Sequence, residues 1–192
     1  MRVEPTALPG VLLIEPQVFA DERGFFLETW NAPRYRAAGI PADFVQGNHA
    51  RSARGVLRGL HFQAGQPQAK LLWVVAGEVL DVAVDVRRGS PTFGRWVGEV
   101  LSAGNRRQLF IPEGFAHGYC VTSASADVCY LCSRPYWPAG DRGVRWDDPA
   151  IGIAWPAGEK LLSPKDRALP LLADAPDLPA YAPPLTNGGG GE

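Results

Sequence analysis

Three features of this 192-residue sequence predict an all-β fold, an antiparallel jelly-roll barrel with a few short helices. Short apolar stretches recur at regular spacing, Gly, Pro, Asn and Asp turns separate them, and many alternate with period two. In chain order the predicted strands run from Val11 to Glu15, Gly24 to Trp30, Val56 to Gln63, Lys70 to Val75, Val79 to Val86, Trp96 to Leu101, Gln108 to Ile111 and Phe115 to Thr122. Asp127 to Ser133 also has strand character. Alternation puts Asp81, Ala83 and Asp85 on one face of their strand. Helix signals are few. Asn31 to Gly39 has an N-cap, an early proline and a closing glycine, and predicts one short helix. Ser163 before Pro164 predicts a second short helical piece. A closed antiparallel arrangement also hides the edges of so many strands.

Length and composition bound the organisation. A chain of 192 residues holds one substantial domain, here predicted over residues 1–172 with a packed end near Pro170. Residues 173–192 are rich in Pro, Ala and Gly, and are expected to form a loose tail. No run approaches the roughly 20 apolar residues needed to span a bilayer. The opening Met1-Arg-Val-Glu-Pro5 lacks the layout of an export signal, so a cytoplasmic location is expected. With 19 basic and 20 acidic residues interspersed, net charge −1, there is no global attraction to nucleic acid or to a membrane. Basic residues that matter must act locally.

Few side chains suggest chemistry. Cys129 and Cys132 form a C-x-x-C, but positions three apart on a regular strand point to opposite faces. They read as packing cysteines rather than as a metal or redox pair. The three histidines are His49, His61 and His117, too sparse to predict a metal site. His61 stands near Arg58, Gln63 and Lys70, polar groups clustered on otherwise apolar strands. Alternation alone would put Arg58 and His61 on opposite faces, a conflict that a bulge at Gly59 would relieve. Lys70 leads an apolar run, as either a snorkelling edge residue or an ammonium presented to a developing negative charge. Asp127, Asp147, Asp148 and Asp166 read as turn or cap residues.

Several ordered blocks carry a resemblance. They are Phe19 to Trp30, Gln46 to Asn48, Gly55 to Gln63, Gln68 to Lys70, Asp81 to Arg87, Gly89 to Gly94, Ile111 to Gly118, Tyr130, and Leu161 to Asp166. From Phe19 to about Pro170 the chain resembles the dTDP-4-dehydrorhamnose 3,5-epimerases, cupin-like barrels that need neither metal nor cofactor. The resemblance implies His61 as general base in a dyad with Asp166, Tyr130 as acid across the sugar ring, and Lys70 as stabiliser of the enolate oxygen. It implies Arg58 on the diphosphate, with Gln46, Asn48 and His117 lining the sugar and phosphate site. Arg23, Phe26 and Glu28 match an arm exchanged between the subunits of a homodimer, and Tyr136 and Trp137 add aromatic surface near the base. The implied partner is a dTDP-linked 4-keto-6-deoxysugar.

That chemistry suits these residue types. A C4 ketone acidifies the hydrogens at C3 and C5, because either carbanion delocalises onto the same oxygen. An imidazole, with an ordinary pKa of about 6.5, is a suitable base near neutrality. The enolate oxygen needs a donor, and one such donor contributes on the order of 3 kcal/mol. Inversion requires a proton from the other face, and a phenol supplies it. A guanidinium fork matches diphosphate oxygens. The expected function is therefore epimerisation at C3 and C5 of dTDP-4-keto-6-deoxy-glucose. The rivals are a mono-epimerase acting at one carbon in an antibiotic sugar pathway, a metal-dependent cupin oxygenase or isomerase, and a non-catalytic sugar-nucleotide-binding barrel.

Overall fold

The computed structural model describes residues 1–41 and 43–183. Its strands are β1 (Arg2–Pro5), β2 (Leu12–Glu15), β3 (Val18–Asp21), β4 (Gly24–Leu27), β5 (Gln46–Ala53), β6 (Leu57–Gln63), β7 (Lys70–Ala76), β8 (Glu78–Asp85), β9 (Trp96–Ser102), β10 (Gln108–Ile111), β11 (Phe115–Val121), β12 (Ser125–Cys132) and β13 (Asp141–Gly143). The helices are α1 (Ala32–Ala37) and α2 (Pro164–Arg167). A six-stranded sheet, ordered β1-β2-β10-β7-β12-β5, faces a five-stranded sheet, ordered β13-β6-β11-β8-β9. The paired strands of both sheets are antiparallel. The predicted jelly-roll barrel is the observed architecture, and both helices form where their caps predict them. Asn31 accepts from the Arg34 N–H, and Ser163 accepts from the Asp166 N–H.

Period-two alternation sorts the side chains. Leu72 and Val74 of β7, Val79 and Ala83 of β8, Phe115 and Val121 of β11, and Val128 of β12 fill the space between the sheets. Their neighbours point outward into two further clusters. One lies behind the six-stranded sheet, where Leu71 and Phe110 meet Tyr35 of α1. The other lies behind the five-stranded sheet, where Val82, Val84 and Ala116 meet Val144, Ile151, Leu172 and Ala175.

That last cluster corrects the expected boundary at residue 172. The chain stays packed beyond Pro170: Leu172 and Ala175 are buried, and Arg88 exchanges backbone hydrogen bonds with Pro179 and Tyr181. A composition rich in proline and alanine can still pack where a sheet offers an apolar outer face. The Gly-rich end of the expected tail, from residue 184 onward, lies outside the described residues. Among the described residues no helix is long and apolar enough to cross a membrane.

Candidate active site

The interior face of the barrel is not apolar throughout. At one end the apolar residues give way to Arg58, His61, Lys70, His117, Tyr119 and Tyr130, which with α2 line a cavity of about 570 Å³. Gln46, Asn48, Gln68, Tyr136 and Asp141 line a second cavity of about 310 Å³, whose wall shares His61, Lys70 and Tyr130 with the first.

The bulge expected at Gly59 is present, and it creates the site. Along β6 and β11, His61 pairs with His117 and Arg58 with Tyr119, so β6 spends one more residue than its partner between the two pairs. The extra residue flips the alternation, and Arg58 and His61 both face the cavity. Glycine is required at this point. Gly59 has a φ of +133°, and a Cβ there would stand 2.5 Å from Gly118 Cα. The Gly59–Leu60 peptide is cis.

His61 donates from Nε2 to Asp166 Oδ1 at 2.5 Å, which leaves the Nδ1 lone pair for other work. Asp166 is buried in the first turn of α2. Burial alone would raise its carboxyl pKa, but the His61 hydrogen bond and charge, Ser163 and Lys165 outweigh it and hold the pKa below the usual carboxylate value. The carboxylate is therefore ionised at neutral pH. The same aspartate was expected as a cap or turn residue on sequence pattern alone, while the resemblance implied it as a dyad partner; the structure brings it within hydrogen-bond distance of His61.

Lys70 and Tyr130 enter from the opposite sheet, on β7 and β12. Burial pushes the Lys70 pKa below its ordinary value, against the pull of Cys132, Asp81 and Asp141. Burial pushes the Tyr130 phenol up, reinforced by Cys132 and Tyr119 and opposed by Arg58. Tyr130 is thus a protonated donor at neutral pH. Arg58 donates from Nε to Ser52 at 3.1 Å, which holds the guanidinium at the cavity wall.

Other predicted residues divide into those the fold gathers and those it does not. Gln46 and Asn48 lie together on β5, joined by a 3.0 Å hydrogen bond. Tyr136 stands at the rim, its hydroxyl donating to Asp141 at 2.8 Å and its backbone N–H to Gln46. Arg23, Phe26 and Glu28 are not in either cavity of this chain. Arg23 and Phe26 belong to the separate β3–β4 hairpin, where Arg23 pairs with Asp21, and Glu28 pairs with Arg34. His49 pairs with Asp127 on the outer face. Cys132 points inward to the second cavity while Cys129 points away, as alternation predicts, and both are free thiols.

Sequence reading missed Tyr119 and Lys165 as cavity residues, and Ser52 as the partner of Arg58. Tyr119 was within reach, since it lies two positions beyond His117 on the same strand face. Lys165 carried a weaker signal, its place beside Asp166.

The sequence profile of the dTDP-4-dehydrorhamnose 3,5-epimerases matches residues 5–174. The Neisseria gonorrhoeae dTDP-4-dehydrorhamnose 3,5-epimerase is 55% identical over 169 residues, covering 88% of this chain and 52% of that protein, so the chain spans about half the length of that relative. The Pseudomonas aeruginosa enzyme of the same name is 52% identical over 181 residues, covering 93% of this chain and all (100%) of that one. The crystal structure of the Legionella pneumophila dTDP-6-deoxy-D-glucose-3,5-epimerase, in complex with dTDP-4-keto-L-rhamnose, superposes with a TM-score of 0.92 at 51% identity, covering 94% of this chain and 98% of that one. Matched over most of its length in sequence and in fold, this chain belongs to the dTDP-4-dehydrorhamnose 3,5-epimerase family of isomerases.

Proposed function

We propose that this chain inverts C3 and C5 of dTDP-4-keto-6-deoxy-glucose to give dTDP-4-keto-rhamnose. One observation carries the reading: the His61–Asp166 base stands on one sheet and the Tyr130 donor on the facing sheet, with Lys70 beside the gap. A sugar ring held between the sheets then has a base on one face and an acid on the other.

His61 Nδ1 takes the proton from carbon, and the electron pair of the broken C–H bond delocalises onto the C4 oxygen. The Lys70 ammonium stabilises that oxyanion. Tyr130 delivers its proton to the opposite face of the same carbon, and the C4 carbonyl re-forms. Exchange with water returns His61 and Tyr130 to their starting states before the second carbon is inverted.

Arg58 holds the diphosphate, and Gln46, Asn48 and Tyr136 line the way to it. The protein acts in the cytoplasm as a homodimer. In support, Phe19 and Phe26, paired across the β3–β4 hairpin, are 57% and 68% exposed, an apolar face that a partner subunit would cover while Arg23 and Glu28 reach its nucleotide.

Proton NMR in deuterated water with dTDP-4-keto-6-deoxy-glucose tests the activity. Loss of both the C3 and C5 proton signals with new stereochemistry is expected. Loss at one carbon would make the protein a mono-epimerase, and no exchange would return it to a binding role.

Two variants separate the parts. Tyr130→Phe should retain solvent exchange at the carbon facing His61 while product formation falls on the order of 10²-fold. An equal fall in exchange and product would remove the phenol from the acid role. Arg58→Ala should weaken dTDP binding by roughly 10- to 100-fold, the size expected for a charged hydrogen bond. Calorimetric titration reads this directly, and an unchanged dissociation constant would place the diphosphate elsewhere.

A further inference from the structure

A second histidine–carboxylate pair meets the same cavity through its histidine, His117. Asp81 on β8 is completely buried, with 0% exposure, and His117 Nε2 stands 3.0 Å from each of its carboxylate oxygens. Among the described residues no arginine or lysine pairs with this carboxylate. A carboxylate in this position accepts, so Nε2 must carry the hydrogen. The other ring nitrogen, Nδ1, makes no hydrogen bond among the described residues, and it is not one of their sealed, unpartnered atoms. His117 lines the cavity, which makes Nδ1 the nitrogen available to a ligand.

Its charge state follows from what surrounds it. His61 faces it from β6, Lys70 from β7 across the barrel, and Tyr119 from two positions along β11. Burial pushes the His117 pKa down, Asp81 pulls it up, and Lys70 and His61 push it down again, with a net lowering. The imidazole is neutral at neutral pH, with a lone pair on Nδ1.

We propose that Asp81 is a positioning residue that fixes His117 as the neutral Nε2–H tautomer, so that Nδ1 accepts a hydrogen bond from a hydroxyl of the bound sugar. A lone pair repels an anionic oxygen, so His117 belongs to the sugar end of the cavity and not to the diphosphate. The ligand feature it selects is a ring hydroxyl. This deepens the epimerase reading and rests on it only for the identity of the sugar.

The protein contains three histidines, which makes a ¹⁵N spectrum of the imidazoles tractable. Signals lost in His117→Gln assign the residue. In the unaltered protein near pH 7, His117 should show hydrogen on Nε2 and a bare Nδ1. A hydrogen on Nδ1, or an imidazolium, would overturn the proposal. Asp81→Asn removes the charge at nearly constant volume and should blur that tautomer preference. It should also lower kcat/KM for dTDP-4-keto-6-deoxy-glucose by roughly 10- to 100-fold, mainly through KM, by analogy with carboxylates that orient metal-bound histidines. The affinity for dTDP alone should stay unchanged. A folded Asp81→Asn protein with unaltered KM, or with an equal loss of dTDP affinity, would refute the positioning role. Should the variant fail to fold, the spectrum of the unaltered protein decides alone. Absence of turnover in that protein would sink the epimerase reading while leaving the tautomer measurement intact.

Discussion

His61→Asn should abolish solvent exchange at both C3 and C5, with turnover reduced by 10²- to 10⁴-fold, the usual contribution of a positioned general base. Asparagine keeps a polar group but is too short to meet Asp166 as Nε2 does, and it offers no lone pair of comparable basicity. One imidazole serves both carbons in the proposed reaction, so the two exchange signals should vanish together. The substitution leaves Arg58 and Lys70 in place, and dTDP should bind as before. Asp166 then loses the hydrogen bond and charge that hold its pKa down, so the variant should lose stability toward acid at a higher pH than the parent. The sign follows from linkage: a depressed carboxylate stabilises the fold above its unfolded pKa, and the benefit fades as pH falls through the folded value. Persistence of exchange at either carbon would mean that a second base exists, and His117 would be the first residue to test.

Lys70→Met should separate activity from stability in opposite directions. Removing the ammonium takes away the donor to the enolate oxygen, and activity should fall by roughly 10²- to 10³-fold. Burial lowers the Lys70 pKa, so between that value and the ordinary lysine value the unfolded chain binds more protons than the native one. Holding the charge inside the barrel therefore costs stability at neutral pH, and the cost is relieved as pH rises through that window. Methionine matches the stem of lysine without the charge, and the melting temperature should rise. A variant that is both inactive and less stable would show that Lys70 serves mainly as a partner for buried carboxylates.

The strands that were legible in the sequence are those with apolar residues on at least one face. Val79 to Val86 and Phe115 to Thr122 stood out because one face fills the core and the other packs outward. Strand β5 did not, since Gln46–Ala53 presents Gln46 and Asn48 to the cavity wall and His49 and Arg51 to solvent. A strand that lines a polar cavity lacks the hydrophobic period that would reveal it. The Gly59 bulge was inferable because two chemical residues needed one face and alternation denied it. The His61–Asp166 pair was not readable from spacing, and only the resemblance supplied it. Asp81 was placed on the correct face, yet nothing in the sequence showed that His117 would lie diagonally across from it.

His61 and Asp166 are separated by 105 positions along the chain. Such a pair contributes nothing until almost the whole polypeptide between them has found its place, because the entropy of closing so long a loop opposes the contact until neighbouring strands have paired. Recovered turnover after refolding would therefore lag behind recovery of strand content. Catalysis in this protein reports on completed assembly, where spectroscopic measures of backbone order respond to its earlier stages.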